Sequence, residues 1–225
     1  MTTRVQDTAA VGVAENGNSA VLVTVAPGGT LLDRRTVDLT GPEFPTHPHH
    51  HEGSWAVGRY LNTPGARPIS LADAVALVER VREAALHGAR EALDILATAV
   101  ATPIADIALR VCPALPPTIE ARIKDNRAQT FADTVMYREA LAAAAEARGW
   151  IVHWYDRERV FRDAAAALGR EDIDAFLSAL GRSVGPPWQA KHKLAAAAAL
   201  AATVRAESRA LKAPPTASRV TKTLP

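Results

Sequence analysis

Residues 11–14 (VGVA) are apolar without alternation, the pattern of a strand buried on both faces. They run into Glu15-Asn-Gly-Asn-Ser, where Asn-Gly is a strong hairpin-turn signal. Residues 20–26 (AVLVTVA) predict the returning strand. Pro27-Gly-Gly turns the chain again, into residues 30–39 (TLLDRRTVDL), which are more polar and so belong nearer a sheet edge. The opening is therefore an antiparallel meander of three strands.

From residue 70 the period becomes helical. Ser70 followed by Asp73 is a capping-box variant with Asp in place of Glu. Leu71, Val75, Val78, Val81, Ala85, Ala89, Leu93, Leu96 and Val100 then recur at helical spacing, up to the stop at Pro103. Residues 104–111 (IADIALRV) read as a strand, ended by Pro113, Pro116 and Pro117. Residues 118–129 are charged and suit a short helix or ordered loop. Thr130 with Asp133 is the next helix-start signal, and Gly149 closes that helix. Residues 150–155 (WIVHWY) form a strand with Trp150, Val152 and Trp154 on one face and Ile151, His153 and Tyr155 on the other. Asp156 can cap a helix closed by Gly169, a short helix over 171–180 ends at Gly181, and Pro186-Pro187 opens a last helix running to about Arg209. Between the meander and the first helix lies an irregular stretch, residues 40–69, rich in Gly, Pro and His. It exceeds the ~12–15 residues of ordinary loops, as functional loops often do.

The order βββ-α-β-α-β-α-α-α predicts an α/β fold. A three-stranded antiparallel meander is continued by parallel strands in one mixed sheet, with helices on both faces. A Rossmann arrangement is disfavoured by the opening hairpins and by the lack of a Gly-rich strand-to-helix turn. The length of 225 residues suits a single domain over 10–210, with a flexible N-terminus at 1–9 and a disordered basic tail at 211–225. Lys plus Arg is 26 against 24 for Asp plus Glu, so the net charge of +2 implies no global field for nucleic acid. A single cysteine, Cys112, excludes an internal disulfide and fits a reducing, cytoplasmic setting. Alanine occupies 47 positions, so much of the apolar content is small-residue helix. The longest apolar run, residues 194–204 (LAAAAALAATV), is too short to cross a ~30 Å hydrocarbon layer, and no membrane association is expected.

The element order resembles the ribonuclease H-like superfamily, which includes Holliday-junction resolvases and transposase cores. The resemblance spans roughly residues 10–205. It rests on the order itself, on a first hairpin Val-Gly-Val-Ala-Glu-Asn-Gly similar to the family's Gly-Ile-Asp-x-Gly, and on the Ala-rich last helix (Lys191-His-Lys-Leu-Ala-Ala-Ala), where members often read Asp-Ala-Ala-Asp-Ala. The resemblance implies nucleic acid as partner. In the family's nucleases it implies carboxylates on the first strand, the fourth strand and a helix, holding two metal ions about 3.5–4 Å apart. This chain departs from that pattern. Ala14 stands at the first-strand acid position with Glu15 displaced by one, which turns a strand side chain to the other face. The fourth strand ends Arg110-Val-Cys112, and the last helix begins Lys191-His192-Lys193. Ordinary two-metal nuclease chemistry is accordingly not expected.

Those cations at a helix start are unfavourable by roughly 0.3–1 kcal/mol each, a sign that a bound anion would reverse. The plain alternative is solvation of Lys193 and pairing of Lys191 with an acid such as Glu15. The leading expectation is a crevice at the carboxyl ends of the central strands that binds a phosphate-bearing ligand, either nucleic acid or a phosphorylated small molecule. Glu15, Asn16, Arg110, Lys191 and His192 would line it. If that crevice hydrolyses anything, Glu15, Lys191 and His192 are the catalytic candidates, with His192 as general acid or base and Lys191 as electrostatic stabiliser.

Residues 46–52 (THPHHHE) suggest a second possibility, a metal-dependent hydrolase. His47, His49 and His50 would be transition-metal ligands, with Asp156 or Glu15 completing the shell. Consecutive loop histidines lack the spacing of a known zinc motif, and a solvated or internally hydrogen-bonded loop is the plain alternative. A third possibility is a non-catalytic module that forms homo-oligomers through the Ala-rich helix around Ala197 and Ala201. Glu120, Arg122, Lys124, Asp125 and Arg127 read as a solvated face, Arg138 and Glu139 as surface or helix-pair contacts, Trp150 and Trp154 as core, and Cys112 as a core thiol.

Overall fold

In a computed structural model, residues 8–212 are described, with side chains up to Thr203. Residues 1–7 and 213–225, where most of the expected flexible N-terminus and basic tail fall, lie outside the described residues. Five strands form one sheet in the order β3-β2-β1-β4-β5: β1 (Ala9–Asn16), β2 (Ser19–Val25), β3 (Leu31–Asp38), β4 (Ile104–Arg110) and β5 (Ile151–Tyr155). β1 pairs antiparallel with β2, and β2 with β3, while β4 runs parallel to both β1 and β5. This is the mixed sheet expected of the ribonuclease H-like fold. The hairpin register, Asn16 opposite Ser19, leaves Gly17 and Asn18 in the turn, and Gly17 supplies its positive φ of 59°.

Helices cover both faces. α2 (Leu71–Ala99) and α4 (Asn126–Ala147) pack on one face through Val11, Val13, Leu22, Ile107 and Leu109. α5 (Val160–Leu168), α6 (Ile173–Val184) and α7 (Ala190–Lys212) cover the other, over Ala10, Ala14, Val23, Ala108 and Tyr155. The two short helices are α1 (Glu52–Ala56), inside the expected long loop, and α3 (Ile119–Lys124).

Ser70 caps α2 as the sequence predicts: its hydroxyl accepts from the Asp73 amide at 3.1 Å and donates to the Asp73 carboxylate at 2.6 Å. α4 starts a turn earlier than the Thr130 signal. Asp125 is its cap, accepting from the Arg127 and Ala128 amides at 2.8 and 2.9 Å. Gly181 does not end α6, which runs on to Val184; Gly181 instead gives the space that the Trp188 ring fills.

α7 lies directly on β1. A Cβ on Gly12 would fall 2.5 Å from the Ala199 nitrogen and closer still to the Ala195 carbonyl oxygen. Ala195 through Ala199 are all fully buried. The Ala-rich surface is thus used inside the fold, and Ala197 is not available as the association face that the sequence suggested. No helix among the described residues is long and apolar enough to cross a membrane.

Candidate functional site

The parallel strands β1, β4 and β5 end together, and their carboxyl ends open into a cleft of about 960 Å³. Glu15 and Asn16 come from β1 and Arg110 from β4, with Val111 and Cys112 following; Asp156, Arg157 and Glu158 follow β5. α4 contributes Thr130, Phe131, Thr134 and Arg138, and His47 closes one side beside the Gly17 turn.

Strand alternation sends Ala14 and Glu15 to opposite faces. Ala14 is buried with the α7 alanines, whereas Glu15 points toward α4. There Glu15 Oε1 accepts from Arg138 Nε at 2.8 Å and also from Nη2, and both side chains are nearly inaccessible to solvent. The Arg138 guanidinium donates further to the Val111 carbonyl at 3.0 Å. This buried pair forms the cleft floor. Removing one partner of such a pair costs about 3–5 kcal/mol, because the other charge is left uncompensated. The Tyr155 hydroxyl donates to the Val13 carbonyl at 2.8 Å, and burial, then Glu15, push its pKa up, so it stays a neutral donor. Burial also raises the Cys112 pKa against the lowering effect of Arg138, so the group is a thiol at neutral pH.

Above this floor the polar groups are more open. Arg110 and Arg157 have no ion-pair or hydrogen-bond partner among the described residues, although Asp156 and Glu158 share the rim. The Asp156 carboxylate accepts from the Glu158 amide at 2.8 Å, which orders the turn into α5. Phe131 keeps 43% of its surface exposed and Val111 45%, so two apolar groups reach solvent in the same cleft as Arg110 and Arg157.

Of the expected crevice residues, Glu15, Asn16 and Arg110 converge here, but Lys191 and His192 do not line the cleft. Arg34 on β3 explains why. Its guanidinium donates to the carbonyls of Gly185 at 2.9 Å and Pro187 at 2.6 Å, which ties the start of α7 to the far edge strand. His192 is 6% exposed, its ring stacks on Trp188 at 5.7 Å, and its Nδ1 accepts from the Gln189 amide at 3.1 Å. It serves as a buried cap for its own helix. Burial and then Arg34 lower its pKa, which disfavours the cation expected there. Lys191 does not pair with Glu15, whose partner is Arg138; Lys193 is held by Asp174 at 2.8 Å and Ser178 at 2.9 Å.

The histidines also separate. His49 is buried, and the Asp133 carboxylate accepts from its amide and its Nδ1 at 2.9 Å each, and from the His50 amide at 3.1 Å. Asp133 is therefore a loop anchor in mid-helix rather than a cap. A second set of bonds holds the following residues: Ser54 donates to the Gln129 amide oxygen at 2.8 Å, and Arg59 donates to that oxygen at 3.2 Å. His47 faces the cleft, while His50 and His51 line a neighbouring hollow. Among the described residues no three His, Cys, Asp or Glu side chains converge to hold a metal ion, and His47, His49 and His50 are not brought together. At the positions where the sequence resemblance implies metal-binding acids, Ala14 has no donor, Glu15 is committed to Arg138, and Arg110 is cationic.

Sequence reasoning missed Arg138, Arg157, Phe131 and the cleft position of Cys112. Arg138 carried a readable signal. It lies three, four and seven residues before Leu141, Ala142 and Ala145, the buried stripe of α4, so helical spacing places it inside.

No protein-family model matches the chain, and no curated protein matches it in sequence. Among solved structures it is similar to T. thermophilus RuvC in complex with Holliday junction substrate, at 15% identity and TM-score 0.48, over 89% of this chain and 96% of that one. It is likewise similar to the Thermus thermophilus RuvC structure, at 14% identity and TM-score 0.45, over 90% and 97%.

Proposed function

We propose that this protein binds a phosphate-bearing ligand, a nucleic-acid strand, in the cleft at the carboxyl ends of β1, β4 and β5, without two-metal nuclease chemistry. The observation that carries this reading is the pair of guanidiniums, Arg110 and Arg157, which have no partner among the described residues and lie in the same cleft as the exposed ring of Phe131. Guanidinium groups match phosphate oxygens in geometry and charge. An exposed ring offers a face to a base. Thr130 and Thr134 line the same wall and supply neutral hydroxyls.

Metal-free binding is supported by the fate of the two adjacent first-strand positions. Ala14 is packed among alanines, and Glu15 is neutralised by Arg138 in the floor. Positive charge at the rim thus meets a floor that is electrically closed.

Fluorescence anisotropy with labelled single-stranded and branched DNA and with RNA tests this. The expected result is salt-sensitive binding that weakens at least tenfold in an Arg110→Ala/Arg157→Ala variant. Each lost phosphate contact also makes the salt dependence shallower, by roughly one unit of the log–log slope. Equal affinity of wild type and double variant for every nucleic acid would overturn the reading.

A further inference from the structure

Beside the cleft lies a second hollow of about 490 Å³, walled by His50, His51, Trp55 and Tyr60 and bordered by Thr63 and Pro64. The two cavities are joined by rings. His47, which lines the cleft, lies 5.5 Å from His51, and His51 stacks on Trp55 at 6.4 Å with their planes 17° apart. His50 lies 5.4 Å from His51 and 6.4 Å from Tyr60, so the rings form a continuous track leading away from the strand ends.

These rings are not core. Trp55 belongs to neither apolar cluster of the sheet, His51 is exposed, and Tyr60 keeps 54% of its surface in solvent. Tyr60 also has a φ of 54°, the one positive value at a non-glycine position among the described residues. A bulky residue adopts that conformation at a cost, and the exposed ring gains no burial in return. Two buried contacts, His49 with Asp133 and Ser54 with Gln129, fix the base of this loop, and the rings lie on its outer side.

We infer that a single nucleic-acid strand lying in the cleft continues along this track, its next bases stacking on Trp55 and Tyr60. The inference rests on the cleft being a nucleic-acid site and adds a second, aromatic station to it. Ring-to-base stacking is tolerant of sequence, so the expected ligand is an unpaired strand without base preference. A duplex would not fit, because paired bases cannot present their faces to the rings. The arginines hold the backbone in the cleft and the rings hold bases beyond it, so affinity should rise once a strand is long enough to reach both.

The test compares a dinucleotide, which fills the cleft alone, with a single strand of about ten nucleotides. The longer strand carries 2-aminopurine toward each end in separate preparations. Wild type is expected to bind the longer strand more tightly and to quench 2-aminopurine at one end through stacking. Trp55→Ala/Tyr60→Ala should weaken the longer strand about tenfold and abolish that quenching, while dinucleotide affinity stays within twofold. Trp55→Phe/Tyr60→Phe should restore both signals, which separates stacking from loss of fold. Arg110→Ala/Arg157→Ala should weaken both ligands. If the Ala variant binds the longer strand as wild type does, or if no position is quenched, the aromatic station is overturned while the cleft stands. If wild type binds neither ligand, both readings fall.

Discussion

On the side of the sheet that faces α2 and α4, the buried side chains are large: Leu22, Leu93, Leu96, Leu109, Met136, Tyr137 and Leu141. On the side that faces α7, small residues gather where that helix meets the sheet, Gly12, Ala14, Ala108 and the run from Ala195 to Ala199, with larger groups such as Tyr155, Leu177 and Leu200 around them. One face is filled by volume, whereas the contact of α7 with β1 is made by close approach of backbones. The difference decides where polar chemistry can sit. The α7 face has no room for a long side chain where Gly12 meets that helix, and the first-strand position on the same face holds alanine, Ala14. The α4 face has room for a buried guanidinium, so the displaced acid, Glu15, finds its partner there. One step along a strand separates the two outcomes.

The largest expected effect comes from breaking the polar side of this contrast. Arg138→Ala should lower stability by about 3–5 kcal/mol in urea unfolding, because Glu15 remains buried and charged. Adding Glu15→Gln to that variant should recover much of the loss. Full additivity of the two changes would show that the pair is not coupled.

Breaking the close-packed side should cost nearly as much. Gly12→Ala places a carbon against the backbone of α7, so a loss of about 3 kcal/mol, the upper end of ordinary overpacking, is expected from thermal and urea unfolding. An unchanged midpoint would mean that α7 does not rest on β1 as described. A glycine-to-alanine change on a surface turn, for comparison, acts mainly through backbone conformation.

A smaller effect sharpens the role of the histidine segment. Asp133→Ala removes the acceptor of three bonds from His49 and His50 and should cost about 1–3 kcal/mol. Hydrogen exchange should rise over residues 46–60 and stay unchanged in β1 and β4. Exchange that rises over the whole sheet would contradict a local anchoring role.

The smallest effect is a pH dependence on the α7 side. Burial and Arg34 hold the His192 pKa below its ordinary value of 6.5, so the unfolded chain takes up this proton first as pH falls. Stability should therefore be unaffected by this group above pH 6.5, and should decline as pH drops from there toward the depressed folded value. His192→Asn should flatten that part of the stability profile relative to wild type; an identical slope would remove the assignment.

Much of the fold was legible in the sequence because its signals are local. The Asn-Gly hairpin, the Ser70 cap and the apolar runs of β1, β2 and β4 place those elements within a few residues. The site was legible only in part. Glu15, Asn16 and Arg110 follow from strand ends, since parallel strands in one sheet finish on the same side. Lys191 and His192 were misassigned because their position depends on Arg34, a residue 151 positions away from Gly185 and 153 from Pro187, whose hold on the α7 start leaves no local trace. Asp133 looked like a cap because Thr-x-x-Asp is a capping pattern, yet the buried loop outcompetes the helix end for its carboxylate. The histidines suggested metal ligands by composition though not by spacing, and only tertiary contacts divide them between an anchor, a cleft wall and a ring track.

The central claim is that the strand ends form an anion site whose floor is a closed ion pair rather than a metal centre. Nucleic-acid affinity and strand cleavage measured side by side in EDTA and in Mg²⁺ test it most directly. The account predicts equal, salt-sensitive binding in both conditions and intact strands throughout. Cleavage that requires Mg²⁺ and disappears in Glu15→Gln would contradict it.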